Sequence, residues 1–241
     1  LNMDALYSIK EAGVSLLVLC DNGIAAVKEI EKANEYGIKT IVIDHHEPAY
    51  SMEGGEKRDI LPEAVALIDP KQADCPYEYK QMCAGGLSYR FICGLYKHMR
   101  KELANHDELL VMATLATFCD IVDLTGDNRV IAYHGLKILN SGNIPNIGLN
   151  ALIKEKNYQG KYISEFTIGF VIGPCINASG RLESAAISAE LMLTDDEEKA
   201  SKYASMLAGL NEERKEMTQR AYDSAFESLD MDRLDNIIVI Y

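Results

Sequence analysis

The sequence has 241 residues, of which 48% are hydrophobic, and a formal net charge of -13 at pH 7. A chain of this length and composition can bury a substantial core, which excludes disorder and allows one large domain or two small ones. No stretch approaches the roughly 18 apolar residues of a membrane span, and the start lacks the basic-then-apolar order of a secretory signal. Its six scattered cysteines include no Cys-x-x-Cys pair, which disfavours a disulfide framework or a zinc ribbon. These features predict a cytoplasmic protein with no membrane association.

The first third of the sequence predicts a parallel sheet. Apolar runs at residues 14–20 and 39–43 have strand length, and an amphipathic segment between them predicts a helix through about Tyr36. Such a strand-helix-strand unit makes the two strands parallel. Because parallel strands end at one edge of a sheet, Asp21 and the triplet Asp44-His45-His46 are expected to lie close together.

The remainder of the sequence is predominantly helical in pattern. Residues 48–62 form a polar excursion and residues 64–68 predict a third strand. Apolar positions then recur at helical spacing in four segments: residues 85–101, 107–117, 129–139 and 147–154.

A long helix is predicted near the end of the sequence. Thr194 and Glu197 fit a capping box, and residues 195–230 contain no proline and a single glycine. The predicted fold class is therefore α/β, with a parallel sheet flanked by helices, then a helical region and a connecting helix. The expected domain organisation is a catalytic domain over residues 1–194, the helix over 195–230, and the first strand of a second domain over 235–241.

Five residues suggest a divalent-metal site that hydrolyses phosphodiesters: Asp21, Asp44, His45, His46 and Asp120. Carboxylates with one or two imidazoles suit manganese or magnesium, whereas zinc sites usually show more cysteine or histidine. Asp120 competes by pattern with Asp123 and Asp127, but its apolar surroundings make an unpartnered carboxylate expensive there.

Each element of this site also has a purely structural interpretation. Asp21-Asn22-Gly23 alone is more often a turn or a helix cap, and an isolated Asp-His-His is a metal ligand in a minority of cases. Their placement at two adjacent strand ends favours the metal site. By contrast, the sequence gives no functional setting for three other histidines: His98, His106 and His134.

The motif IVIDHHEP, preceded by LLVLCDNGIAAVKEIEKANEYGIKTIV and followed by ATFCDIVDLTGDNRVIAYHGL, resembles the DHH phosphoesterase superfamily. Residues 173–181, GPCINASGR, are similar to a segment of its RecJ-type single-stranded-DNA exonucleases. Considered alone, this segment is equally well interpreted as a Gly/Pro-rich loop between helices. Its position after a metal-site sequence favours function.

The resemblance implies a role for each matching residue. Asp21, His45 and Asp120 would bind manganese or magnesium, Asp44 would support the cluster, and His46 would lie near the scissile phosphate. Asp44, His45 and His46 would then form the catalytic group. The resemblance also implies that Asn177 and Arg181 contact nucleic acid, the arginine through its fork of donors.

The function expected from the resemblance is metal-dependent 5′→3′ hydrolysis of single-stranded DNA in recombination and repair, with DNA-repair proteins as partners. One alternative is a relative that cleaves cyclic dinucleotides or short oligonucleotides, which would lack the segment at residues 173–181. Another is a non-catalytic nucleic-acid-binding relative, which the retained Asp21, His45 and Asp120 disfavour.

The sequence departs from the family pattern in two places. The family's Asp-x-Asp motif is absent, so we expect a fragment that lacks one metal ligand and, with it, the second of two ions. Cys175 stands where RecJ-type proteins have arginine, which removes one cation from the expected DNA path. The acidic net charge is unfavourable for binding phosphate. We therefore expect the DNA path to be local, or basic surface to lie outside this sequence.

Overall fold

The computed structural model describes residues 1–228, which belong to two compact units that divide between Asn143 and Ile144. The catalytic domain predicted over residues 1–194 crosses this division, and its upper bound stays a prediction. The strand predicted at residues 235–241 lies outside the described residues. Each unit has its own core.

The first unit contains a three-stranded parallel sheet, which confirms the α/β prediction. Its strands, in their order across the sheet, are Leu16–Cys20 (β1), Lys39–Ile43 (β2) and Ala66–Ile68 (β5). Helix α1 (Met3–Glu11) precedes β1, and α2 (Val27–Glu35) connects β1 to β2. Cys20 pairs with Ile43, which pairs in turn with Ile68. The three strands therefore end level at one edge.

The segment predicted as a polar excursion forms a two-stranded antiparallel hairpin, β3 (Ala49–Glu53) and β4 (Glu56–Ile60). Gly54 and Gly55 form its turn with φ values of 62° and 89°. A two-residue hairpin turn with positive φ at both positions favours glycine because glycine has no Cβ.

Three helices complete the first unit: α3 (Ala84–His98), α4 (His106–Cys119) and α5 (Gly126–Leu139). Apolar side chains of these helices, including Leu87, Leu110 and Ile131, form one cluster with Met82 and with Ile43 of the sheet. This packing fixes the end of α4, and hence Asp120, relative to the unit's core.

The described part of the second unit is helical. It comprises α6 (Ile147–Glu155), a π-helix (Thr167–Ile172), α7 (Gly173–Leu182), α8 (Ala186–Leu193) and α9 (Glu197–Glu227). Ala200, Ala204 and Leu207 on α9 are fully buried, and this helix packs against α6, α7 and α8. The predicted long helix is confirmed, although Asp196 rather than Thr194 caps it. Within residues 1–228, no helix is both long and apolar enough to cross a membrane.

Candidate metal centre

The turn after β1 brings Asp21 back over the end of β2. Asp21 has a left-handed backbone, with φ of 63°, and its N–H donates to the carbonyl of Ile43 at 2.9 Å. Gly23 follows with φ of 118°, and a Cβ there would lie 3.0 Å from Leu19 and 3.1 Å from Val42. Aspartate tolerates the left-handed region better than most residues, and glycine suits the second position. The Asp-Asn-Gly sequence thus permits a turn too tight for ordinary side chains.

Asp44 is the hydrogen-bonding centre of the site. Its side chain is only 1% exposed, and its Oδ2 accepts from the Ile24 N–H at 2.9 Å. Its Oδ1 accepts from the His45 N–H at 2.8 Å and contacts His46 Nδ1 at 2.7 Å. Burial acts to raise the pKa of Asp44, but these hydrogen bonds outweigh it and lower the pKa overall. Asp44 therefore stays ionised and fixes both histidines.

His45 lies between two carboxylates. Its Nε2 is 3.2 Å from Asp21 Oδ1 and 3.5 Å from Asp120 Oδ2. The side-chain ligand atoms of Asp21, His45 and His46 also lie within 4.8 Å of one another. The structure thus brings together the five residues that the sequence singles out for metal chemistry.

Asp120 reaches this cluster from the C-terminal end of α4. The next residue, Ile121, has φ of 54° and is 88% exposed. A β-branched side chain is strongly disfavoured in that conformation, and such strain is concentrated at functional sites. The competing Asp127 bonds instead to Tyr77 and lies 3.8 Å from Arg90.

The donor set fits a divalent cation that prefers oxygen ligands. Asp21 and Asp120 present exposed carboxylates, while His45 contributes an imidazole held in place by its neighbours. Hard oxygens with a single nitrogen match manganese or magnesium. The oxygens of Asp44 accept hydrogen bonds from two backbone N–H groups and contact the His46 ring, an arrangement suited to orienting neighbouring groups.

The hydrogen bond to Asp44 also raises the pKa of His46. Burial lowers this pKa, whereas the negative charges of Asp44, Asp21 and Asp120 raise it further. Because Asp44 contacts Nδ1, Nε2 of His46 is the ring nitrogen left for a ligand or substrate. This ring stacks at an angle on His45, with centroids 4.6 Å apart.

Asp69 is a component of the site region that sequence patterns did not single out. It follows β5, is 2% exposed, and accepts the Lys71 N–H at Oδ1 while its Oδ2 has no hydrogen-bond partner among the described residues. Burial raises its pKa to about 6, the Asp44 charge adds to the shift, and His45 opposes it. The sequence Asp69-Pro70 indicates only a strand end, and no spacing signal distinguishes it.

The two predicted nucleic-acid contacts lie in the second unit. Asn177 and Arg181 are both exposed on α7, and the Arg181 side chain forms no ion pair within residues 1–228. Cys175 is fully buried on the same helix, and its Sγ donates to the Val171 carbonyl at 3.2 Å. Burial raises the pKa of this thiol.

Comparison with known proteins places the metal centre in a family context. Residues 1–117 match the DHH family, N-terminal domain. The single-stranded-DNA-specific exonuclease RecJ of Bacillus subtilis is 36% identical over 239 residues, covering 99% of this chain and 28% of that protein. RecJ of Escherichia coli is 32% identical over 216 residues, covering 86% of the chain and 36% of the relative. The chain thus spans about a third of these relatives' length.

A solved structure gives the same assignment. The crystal structure of RecJ in complex with Mn2+ from Thermus thermophilus superposes with a TM-score of 0.80 at 25% identity, covering 95% of this chain and 32% of that one. The domain match that contains Asp21 and Asp44-His45-His46, and the similarity along nearly the whole sequence, show that the chain belongs to the DHH family.

Proposed function

We propose that the chain carries the metal site of a single-stranded-DNA exonuclease that hydrolyses phosphodiester bonds in the 5′→3′ direction. The observation that carries this proposal is the position of His45 Nε2 between the carboxylates of Asp21 and Asp120. Its relatives are single-stranded-DNA-specific exonucleases, and one of them was solved with Mn2+.

In this proposal Asp21, His45 and Asp120 hold the metal. Bound manganese or magnesium would lower the pKa of water and offset charge on the transferring phosphoryl group. A second ion would add to both effects and would need a ligand beyond these three residues.

His46 has a separate role in the proposed chemistry. Its Nδ1 contacts Asp44 at 2.7 Å, which leaves Nε2 for the substrate. When the ring carries a proton on both nitrogens, Nε2 can donate a hydrogen bond to a non-bridging phosphate oxygen as charge develops there. Asp44 keeps the ring in the orientation that this donation requires.

Asn177 and Arg181 would bind the DNA strand through exposed donors. A guanidinium can contact two phosphate oxygens at once, so Arg181 would provide orientation as well as charge. We further propose a cytoplasmic role in DNA recombination and repair alongside DNA-repair proteins, and a DHH catalytic domain that extends over residues 1–194.

Manganese binding tests the metal site directly on this chain. Titration followed by the electron paramagnetic resonance signal of free Mn2+ should show binding to the unmodified chain. His45→Ala should abolish it, and His98→Ala should serve as a matched control with unchanged binding. Equal binding by the His45 variant would contradict the assigned ligands.

Turnover should be measured on the intact parent protein. A long single strand labelled at its 5′ end should release labelled mononucleotide with manganese, and chelation should abolish the release. Preference for a dinucleotide would instead favour the small-substrate alternative. DNA binding without metal binding would favour the non-catalytic alternative.

A further inference from the structure

Two phenylalanine rings are exposed on the second unit, where a short helical turn enters the π-helix. Phe166 is 59% exposed and Phe170 is 69% exposed. The rings stack on each other with centroids 4.9 Å apart and an interplanar angle of 20°. Each ring therefore keeps one face that its neighbour does not cover. Such an exposed aromatic pair is a candidate binding surface.

These rings lie on the same side of a continuous helical run as the predicted DNA contacts. The π-helix leads directly into α7, and the positions 166, 170, 177 and 181 are all exposed. The stacking of Phe166 on Phe170 places these two rings on one side of the run, and within α7 the step of four residues from Asn177 to Arg181 returns to one helix face. The step of seven residues from Phe170 to Asn177 equals about two helical turns, although the π-helical turns at residues 167–172 are slightly wider than α-helical ones. Ile168 and Ile172, between and beyond the rings, are buried, so the exposed face has a defined boundary.

We propose that Phe166 and Phe170 form a stacking platform for the bases of single-stranded DNA whose phosphates contact Asn177 and Arg181. This inference rests on the proposed function and specifies how its substrate is held. Aromatic side chains bind any base because every base has a π-face, while cations track the backbone. Double-stranded DNA buries those faces in its own stack. The platform therefore favours single strands.

The dimensions agree with a short stretch of nucleotides. Arg181 lies eleven positions after Phe170, or about 16 Å along the chain at the rise of an α-helix. A stacked strand advances about 3.4 Å per nucleotide, so this distance corresponds to about five nucleotides. The platform and the arginine can therefore bind one strand at two places.

Charge favours nucleic acid over an acidic protein surface as the occupant. Glu165 precedes the first ring and Glu183 follows Arg181, but residues 166–182 contain no acidic residue, and Arg181 forms no ion pair within residues 1–228. A second exposed ring pair, Tyr222 and Phe226 on α9, has Asp223 and Glu227 beside it. Their carboxylates repel phosphate. That pair provides a matched control.

The first test compares DNA binding by the unmodified chain and by a variant without the two rings, on a strand with bases and on a strand without them. Binding to labelled oligothymidine, in chelator to prevent cleavage, should weaken at least about fivefold for the Phe166→Ala/Phe170→Ala variant, from the usual strength of base–aromatic stacking. Binding to an abasic strand of the same length should be weaker in the unmodified chain and should not weaken further in the variant. Tyr222→Ala/Phe226→Ala should match the unmodified chain on both strands.

The platform would be overturned if Phe166→Ala/Phe170→Ala weakened binding to the thymidine strand and to the abasic strand equally. It would also be overturned if that variant weakened binding to neither strand. Arg181→Ala separates this result from the proposed function, because it should weaken both strands alike. If Arg181→Ala weakens both strands and the Phe variant weakens neither, the platform alone fails. If the unmodified chain binds neither strand, the platform and the proposed DNA contacts fail together.

The second test uses the absence of tryptophan from the sequence. Phe170→Trp would create a single fluorescent reporter that retains an aromatic face. Oligothymidine should quench its emission at saturation, whereas the abasic strand should leave it unchanged. Phe226→Trp should not respond to either strand. Emission from the Phe170→Trp variant that is unchanged by saturating oligothymidine would contradict base stacking.

Discussion

At the residue scale, Asp44 orients its neighbours through hydrogen bonds to the Ile24 and His45 N–H groups and its contact with His46. Its contact with Nδ1 is the largest contribution to the raised pKa of His46, while the charge of Asp21 contributes less. Asp44→Asn should therefore lower the pKa of His46 towards its ordinary value of 6.5. Asp21→Asn should lower it less. Titration of the His46 ring signal by nuclear magnetic resonance, without metal, measures both shifts, and an equal shift in the two variants would contradict this ordering.

Asp69 should make folding stability depend on pH. Its pKa rises from 3.8 to about 6 in the folded chain, so the folded state holds the proton more tightly than the unfolded state. Protonation of Asp69 therefore contributes to the free energy of unfolding. This contribution is present in full below about pH 4 and is lost as pH rises towards 6 and beyond, and it amounts to at most about 3 kcal/mol. Asp69→Asn should remove this part of the pH dependence. Denaturant unfolding at several pH values, in chelator, measures the free energy of unfolding of both proteins. If this free energy depended on pH between 4 and 6 as steeply in Asp69→Asn as in the unmodified chain, the prediction would be wrong.

Sequence patterns could place Asp21, Asp44 and His45 together because parallel strands end at one edge. They could not identify Asp44 as the hydrogen-bonding centre. Its bond to the Ile24 N–H requires the left-handed backbone at Asp21 and the φ of 118° at Gly23. Such turn geometry comes from the folded chain. For the same reason the burial of Asp69 could not be predicted from its neighbours.

At the scale of elements, the start of α9 depends on one side chain. Asp196 Oδ1 accepts from the N–H groups of Glu198 at 2.9 Å and Lys199 at 3.1 Å. Asp196→Ala should lower the free energy of unfolding by about 1 kcal/mol. Thr194→Ala should cost less, since Thr194 Oγ1 accepts only the Asp196 N–H at 3.2 Å. Thermal unfolding followed by circular dichroism compares them, and a larger loss at Thr194 would favour the capping box predicted from sequence.

Two glycines with opposite surroundings test the packing of the second unit. A Cβ on Gly148 in α6 would lie 1.7 Å from the Leu191 carbonyl oxygen, whereas a Cβ on Gly209 in α9 would meet no atom within 4 Å. Gly148→Ala should therefore destabilise the chain by about 1–3 kcal/mol through overpacking. Gly209→Ala should stabilise it by about 0.5–1 kcal/mol because alanine favours helix interiors. Denaturant unfolding measures both, and effects of the same sign would contradict the packing.

Helices and strands with a regular pattern of buried apolar residues could be predicted from the sequence, whereas strands made mainly of exposed residues could not. The strand at Lys39–Ile43 matches its prediction because its apolar run is buried. The hairpin at residues 49–60 was missed because its strands are largely exposed and show no apolar alternation. The segment at residues 173–181 is helical, although Gly173, Pro174 and Gly180 suggest a loop. Pro174 lies where the π-helix changes into α7.

The whole molecule combines an acidic net charge of -13 with a site made largely of carboxylates. That charge favours a divalent cation and disfavours a phosphate backbone. A metal ion and a DNA backbone therefore require opposite local charge. In the proposed function, the strand ends of the first unit bind the metal and the exposed face of α7 binds the DNA.

Manganese should consequently protect one unit and not the other. A ligand that binds only the folded state stabilises it by about 2.7 kcal/mol at a hundred times its dissociation constant. Because Asp21, His45 and Asp120 belong to the first unit, amide hydrogen exchange should slow at the ends of β1 and β2 when manganese is added. Exchange in α6 and α9 should stay the same, and His45→Ala should remove the difference. Equal protection of both units would mean that the ion stabilises the chain through ligands other than these three residues.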